Sequence, residues 1–259
     1  MPEFSQALSQ KEFVVTLELD PPRGVDTTRL TETAKALQGR VDAVVISDHR
    51  GATPRQSPLW AAHLLRESGL AVVLTMTCRD RNRLALTGDI LAAGAAGLQS
   101  LLLVSGDFVT LGDHPGAKPV YDLDSVQALQ LAEVLRAGSD LAGQALTGAP
   151  ELFAGAVAAP AATPLEPQLI KFRKKLQAGA KFIITKPLAE AGQLRSFLER
   201  SGGVEIPLIA GVEAAGPEAL DDAARLLADL RGSGMARGVH LSMPSAPERL
   251  ADLLKACGL

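Results

Sequence analysis

Val14-Val15-Thr16-Leu17-Glu18-Leu19-Asp20-Pro21-Pro22 is the stretch from which the architecture can be read. Period-two alternation puts Val15, Leu17 and Leu19 on one face of a strand and Thr16 and Glu18 on the other. The apolar face is expected to meet outer helices, so Glu18 points to the inside of a closed sheet. Outward from this strand the same unit recurs. Short apolar runs at 13–19, 41–47, 71–78, 100–105, 152–158, 181–185, 207–210 and 238–242 read as strands. Longer patterns at 28–38, 58–68, 85–96, 124–137, 166–178, 190–201, 217–231 and 246–256 read as helices. Strict alternation requires parallel strands joined by crossovers. Eight such units predict closure into an α/β (β/α)8 TIM barrel, for which ~250 residues is typical. The 259 residues are read as one domain, 1–259.

The helical patterns are amphipathic. Leu129, Leu131, Val134 and Leu135 cluster while Gln127, Gln130 and Glu133 can face water, and Asp124 with Ser125 supplies an N-cap signal. The least regular stretches, 108–121 and 138–150, are long enough to be functional loops.

Composition narrows the classes. With 47% hydrophobic and 21% charged residues a sizeable core can be buried. A net charge of −3 with no basic tract argues against nucleic acid, and 3% aromatics against a stacking surface for single strands. No apolar run approaches the ~18 residues of a membrane span. Cys78 and Cys257 are too few and too far apart for a disulfide framework or a four-ligand zinc site, and read as reduced thiols. The polar segment from Met1 to Glu12 does not resemble a signal peptide, so the expected location is cytoplasmic.

Three side chains fall at the C-terminal ends of strands, where barrels of this kind carry chemistry. Glu18 is expected to be desolvated with a raised pKa, suiting a general acid; a salt-bridged structural acid is the alternative. Asp107 follows Ser105-Gly106 and can accept paired hydrogen bonds from an amino-pyrimidine edge, or merely cap its loop. Lys186 follows Ile183-Ile184-Thr185 and reads as a solvated cation, an ion-pair partner of Asp107 or a ligand oxygen, or a Schiff-base nucleophile. Asp48, His49, Asp113 and His114 match no metal spacing, so no metal site is expected. No G-x-G-x-x-G follows a strand, and Gly88, Gly94 and Gly97 read as packing positions.

Ordered motifs then carry a resemblance. Thr16-Leu17-Glu18-Leu19-Asp20-Pro21-Pro22-Arg23, Thr77-Cys78-Arg79-Asp80-Arg81-Asn82-Arg83, Leu102-Leu103-Val104-Ser105-Gly106-Asp107 and Val120-Tyr121-Asp122-Leu123-Asp124-Ser125 are similar to segments of 5,10-methylenetetrahydrofolate reductases. So are the run from Lys174-Lys175-Leu176 to Ile184-Thr185 and Gly238-Val239-His240-Leu241. The resemblance implies reduction of 5,10-methylenetetrahydrofolate to the 5-methyl form, with Glu18 as general acid and Asp107 and Lys186 at the substrate. It implies a flavin (FAD), reduced by NAD(P)H or another donor, near Ser47, Thr75, Ser105, Gly106, Tyr121, Asp122, Lys174 and Lys175.

The chain also departs from the family pattern. Lys186 stands for a glutamine, Ser105 for an arginine and Thr75 for a histidine, while aromatic and polar positions after strand five fall within Gly155-Ala156-Val157-Ala158-Ala159-Pro160. The stretch between strands seven and eight is short. These changes predict weak flavin binding by the isolated chain, with Arg50, Arg79 or Lys174 as available substitutes. A flavin-free folate-binding relative, a redox or corrinoid protein partner and a homo-oligomer fit the same pattern. An unrelated lyase or aldolase using Lys186 is the remaining alternative.

Overall fold

Each predicted strand buries one face under helices and the other in a shared interior, and a sheet that does so along all its strands closes. The computed structural model describes residues 3–214, 219–243 and 249–256. Its strands are β1 (Val14–Leu19), β2 (Ala43–Ile46), β3 (Val72–Thr77), β4 (Ser100–Val104), β5 (Phe153–Ala158), β6 (Ile183–Pro187), β7 (Leu208–Glu213) and β8 (Gly238–Ser242). All neighbours pair in parallel, and β1 pairs with β8, so the sheet is a closed barrel in chain order. The helices are α1 (Phe4–Gln10), α2 (Thr28–Leu37), α3 (Pro58–Glu67), α4 (Arg83–Ala95), α5 (Ser125–Arg136), α6 (Glu166–Gln177), α7 (Ala191–Ser201), α8 (Ala219–Ser233) and α9 (Leu250–Ala256). The (β/α)8 expectation holds. The starts of the helices expected at 217–231 and 246–256 lie outside the described residues, as does Cys257.

The two faces of β1 sort as the alternation requires. Val15 and Leu17 join the apolar layer between barrel and helices, while Val14 joins Val45, Val73, Leu102, Phe182, Ile184 and Ile209 inside. Gly155 makes room for this interior packing: a Cβ there would come within 2.4 Å of the Phe182 ring. Phe182 stacks on Phe153 and meets Phe4 edge-on, both at 5.3 Å between centroids.

Phe4 belongs to α1, which the sequence reading missed. This helix closes the lower end of the barrel with Phe4 and Leu8, one turn apart and fully covered. Only two apolar anchors in a seven-residue polar segment give too little periodicity to detect. The strand expected at 207–210 runs on to Glu213, because Gly211, Val212 and Glu213 continue the ladder with β8. The helix expected at 85–96 begins two residues earlier, where the Asn82 side chain accepts from Ala85 N–H as its cap. The Asp124 signal is realised as a capping box: its carboxylate accepts from Val126 and Gln127 N–H, and Gln127 Oε1 accepts from Asp124 N–H.

Candidate active site

The upper end of the barrel holds a cavity of about 510 Å3, bounded by the strand ends and by α6. That is within the ~300–1,000 Å3 of ordinary ligand pockets. Glu18, Asp107 and Lys186 all line it, as do Ser47, Thr75, Ser105, Gly106 and Lys175. Closure of the ring brings these positions together from strands far apart in sequence. Gly106 is needed there: its φ is +90°, and a Cβ would come within 2.0 Å of Thr77 Oγ1.

Glu18 is not the isolated, desolvated carboxylate that the strand pattern predicts. Its Oε2 accepts from Arg50 Nη1 at 3.1 Å and from Ser242 Oγ at 2.9 Å, and its side chain keeps 20% exposure. Glu18 Oε1 has no hydrogen-bond partner among the described residues, which leaves one oxygen for a ligand. Arg50 spans two acids, because its Nη2 donates to Asp20 Oδ2 at 3.1 Å. Asp20 is held further by Arg55 at 3.3 Å and by Ser47 Oγ at 2.5 Å. Burial alone would lower the Arg50 pKa, but Glu18 and Asp20 outweigh it and hold the pKa above its ordinary value. A second cavity of about 460 Å3 lies behind this group, so Glu18, Arg50 and Ser242 form the partition between the two.

Arg50 gains this reach from an unusual loop. His49, Gly51 and Ala52 all have positive φ, at 46°, 62° and 54°. Non-glycine residues in that region cost of order 1–3 kcal/mol each and persist where surrounding contacts enforce them. Here the contacts are visible: Gly51 N–H donates to Asp107 Oδ2 at 3.0 Å, and buried Arg79 donates to the carbonyls of His49 and Asp107. Tyr121, also left-handed at 45°, adds its hydroxyl to the Asp107 carbonyl at 3.3 Å. Asp107 is therefore tied to the Arg50 loop.

His240 stands beside Glu18 because β8 pairs with β1 at Thr16. Its Nδ1 lies 3.1 Å from Thr16 Oγ1, and burial lowers its pKa, so the ring is neutral near neutral pH. On the far flank Lys175 reaches in from α6 and donates to the Val157 carbonyl at 2.5 Å. Burial, helped by Lys171 and Lys186 and opposed by Asp124, lowers the Lys175 pKa to about 8.

Three of the expected flavin positions, Tyr121, Asp122 and Lys174, are not among the residues that line the cavity. Asp122 is paired with Arg83 at 2.9 Å, which holds its pKa down to about 2, and Lys174 is exposed on the outer side of α6. Lys186 forms no ion pair with Asp107 or with another carboxylate among the described residues, because Asp107 is turned to Gly51 and Glu18 to Arg50. Asp48 is a structural acid: its Oδ2 accepts from Thr77 N–H at 2.7 Å and Arg81 at 2.6 Å. Asp113 and His114 pair with each other on an exposed loop, and no group of three or more metal-ligating side chains occurs among the described residues.

The sequence reading missed the role of Arg50 at Glu18 and the place of Lys171 in the cavity wall. A hint of the second was present, since Lys171 and Lys175 are four apart on one helix face.

These features define a (β/α)8 barrel with a cavity at the strand ends into which both apolar and charged side chains project. The sequence matches methylenetetrahydrofolate reductase over residues 3–215, and the chain belongs to that family. It is 26% identical over 216 residues to a probable methylenetetrahydrofolate reductase (NADPH) of Caenorhabditis elegans, covering 79% of this chain and 31% of that protein. The chain thus spans about a third of that relative's length. In structure it is similar to an uncharacterized protein from Clostridium thermocellum that binds two copies of 5-methyl-5,6,7,8-tetrahydrofolic acid, with a TM-score of 0.66, 12% identity and 98% of each chain covered. It is also similar to 2,3-dimethylmalate lyase, with a TM-score of 0.59, 12% identity, and 98% of this chain and 87% of that one covered. At these identities the structural likenesses speak to the fold. No helix among the described residues is long and apolar enough to cross a membrane.

Proposed function

We propose that the cavity binds a tetrahydrofolate and that the chain reduces its 5,10-methylene bridge to a 5-methyl group. The observation that carries this reading is the place of Glu18 in a methylenetetrahydrofolate reductase-family barrel: it lines the cavity, and its Oε1 has no hydrogen-bond partner among the described residues, so that oxygen is the one that can carry a proton. Folate binding by a structural neighbour supports the ligand class. The reduction adds one hydride and one proton. The proton goes to the folate nitrogen that leaves the methylene carbon, and Glu18 is its donor. The resulting iminium carbon takes the hydride. Asp107 accepts from the pterin ring, for which its contact with Gly51 is exchanged or shared.

The family uses a flavin as hydride source, and the residues here fit that group only in part. Lys171, Lys175 and Lys186 suit phosphates, but Phe, Tyr and Trp are absent from the described cavity lining, and β5 ends at Ala158 with Ala159 following it. No step is therefore assigned to a bound flavin. A reduced nicotinamide or a reduced protein partner is the alternative donor.

The test is an anaerobic assay of 5,10-methylenetetrahydrofolate with NADH, NADPH or reduced FMN. Turnover should fall ~10²-fold or more in Glu18→Gln, the usual weight of a positioned acid. A wild-type chain that binds no folate would end this reading. Near-normal turnover in Glu18→Gln would remove the acid from it.

A further inference from the structure

The continuation of β7 beyond the expected strand ends in Glu213, an exposed residue that lines the cavity and has no hydrogen bond or ion pair to a described residue. The residues outside the described ones include no Lys, Arg or His, so no such side chain is held in reserve for it. Ladder register places this acid. β7 pairs Glu213 with Ser242, and β8 pairs Leu241 with Leu17, which puts Ser242 beside Glu18. Glu213, Ser242 and Glu18 are therefore three successive inward positions around the ring. The two acids stand two strand spacings apart, roughly 10 Å between Cα atoms. Arg50 binds this row from above: its Nη1 donates to Glu18 at 3.1 Å and to Ser242 at 3.2 Å. Burial lowers the Arg50 pKa, and Glu18, Asp20 and Glu213 raise it, so the guanidinium feels both acids that flank Ser242.

This arrangement meets a difficulty in the acid role. A guanidinium beside a carboxylate favours the ionised form, which has no proton to give. A second carboxylate in the same cavity works the other way, because two negative charges oppose each other. The remaining charged groups around Glu18 do not supply that second charge. Asp20 is held by Arg50 and Arg55, Asp48 by Arg81 and Asp107 by Gly51 N–H, and His240 on β8 is neutral near neutral pH. Lys171 and Lys175 on α6 and Lys186 on β6 are cations and act with Arg50. Among the described residues, Glu213 is the one carboxylate of the cavity lining that neither a cation nor an N–H holds.

We infer that Glu213 is a positioning residue for the proton of Glu18: its negative charge, across Ser242, offsets Arg50 and keeps Glu18 Oε1 protonated where the cavity needs a donor. The use made of that proton rests on the folate reading above, and its location does not.

The test is a carbon-13 NMR titration of the glutamate carboxyls in the full chain, with the Glu18 signal assigned by its loss in Glu18→Gln. Two charges about 8 Å apart shift each other's titration by ~0.4–1.5 pH units between the screening of bulk water and that of a protein surface. Glu213→Gln should lower the Glu18 midpoint by that interval at low salt. The difference should shrink in 1 M salt, where charges are screened beyond ~3 Å. Glu213→Asp keeps the charge and should keep most of the wild-type midpoint, which a merely structural role would not require. An unmoved or raised midpoint in Glu213→Gln, or an equal fall in Glu213→Asp, would overturn the assignment. Where the chain reduces 5,10-methylenetetrahydrofolate, the alkaline limb of turnover should move to lower pH by the same interval in Glu213→Gln. If the wild type gives no turnover, the folate reading falls, and the NMR titration still decides the role of Glu213.

Discussion

Replacing Lys175 by Met gives a test in which the sign of a slope matters more than the size of an effect. Met keeps an unbranched stem in a site where the side chain is 92% covered, and it removes only the ammonium. Burial lowers the Lys175 pKa from its ordinary 10.5 to about 8. Below about pH 8 the folded wild type carries a buried charge, and the difference between the two pKa values is worth about 3 kcal/mol against folding. Between about pH 8 and 10.5 the unfolded chain holds this proton and the folded chain does not, so the wild type gains stability as pH rises through that window. Met carries no such penalty at any pH, but the Val157 carbonyl loses a donor, which costs about 1 kcal/mol. The variant should therefore be more stable than wild type by about 2 kcal/mol near neutral pH, a rise of about 4–8 °C in unfolding temperature for a chain of this size. Near pH 10.5 the advantage should vanish or reverse, because only the lost hydrogen bond remains. The assay is thermal unfolding of both chains by circular dichroism across this range, in buffers free of phosphate and sulfate. Other titrating groups are common to the two chains and cancel in the difference. A difference that is flat in pH, or that grows toward alkaline pH, would refute the claim that Lys175 is a destabilised buried cation.

Three further outcomes follow from named contacts. Asp107→Ala should weaken 5-methyltetrahydrofolate binding by ~1.5–3 kcal/mol, the range for hydrogen bonds to a charged group; unchanged affinity by calorimetry would separate Asp107 from the ligand. Arg50→Gln leaves Glu18 with Ser242 alone, whereas Asp20 keeps Arg55 and Ser47, so one carboxylate loses its cation. With Arg50 35% and Glu18 20% exposed the cost is near that of a surface pair, about 1 kcal/mol, or a fall of about 2–4 °C in unfolding temperature; a much larger fall would mean that the loop itself depends on the pair. Gly155→Ala drives a methyl into the Phe182 ring and should cost ~1–3 kcal/mol as overpacking, seen as a lower denaturant midpoint; no loss would mean that Phe182 can shift aside.

The contrast between what the sequence showed and what it hid has a physical origin. Glu18 was legible because strand alternation has a period of two, and Val15 and Leu17 on the outer face force Thr16 and Glu18 inward. Lys186 and Asp107 were legible for a related reason, since the end of a barrel strand is the mouth wherever the strand ends. What strand position does not specify is pairing. Glu18 meets Arg50 rather than Lys186 because three left-handed residues, His49, Gly51 and Ala52, turn the loop after β2 back over the mouth. Only Gly51 announces such a backbone in its side chain. Once that loop is set, Asp107 is occupied by Gly51 N–H, and the lysine that sequence reasoning paired with Asp107 is left without an acid. The strained loop draws Arg50 to Glu18 and Asp20, a pairing that follows from the backbone of residues 49–52 and not from the strand pattern.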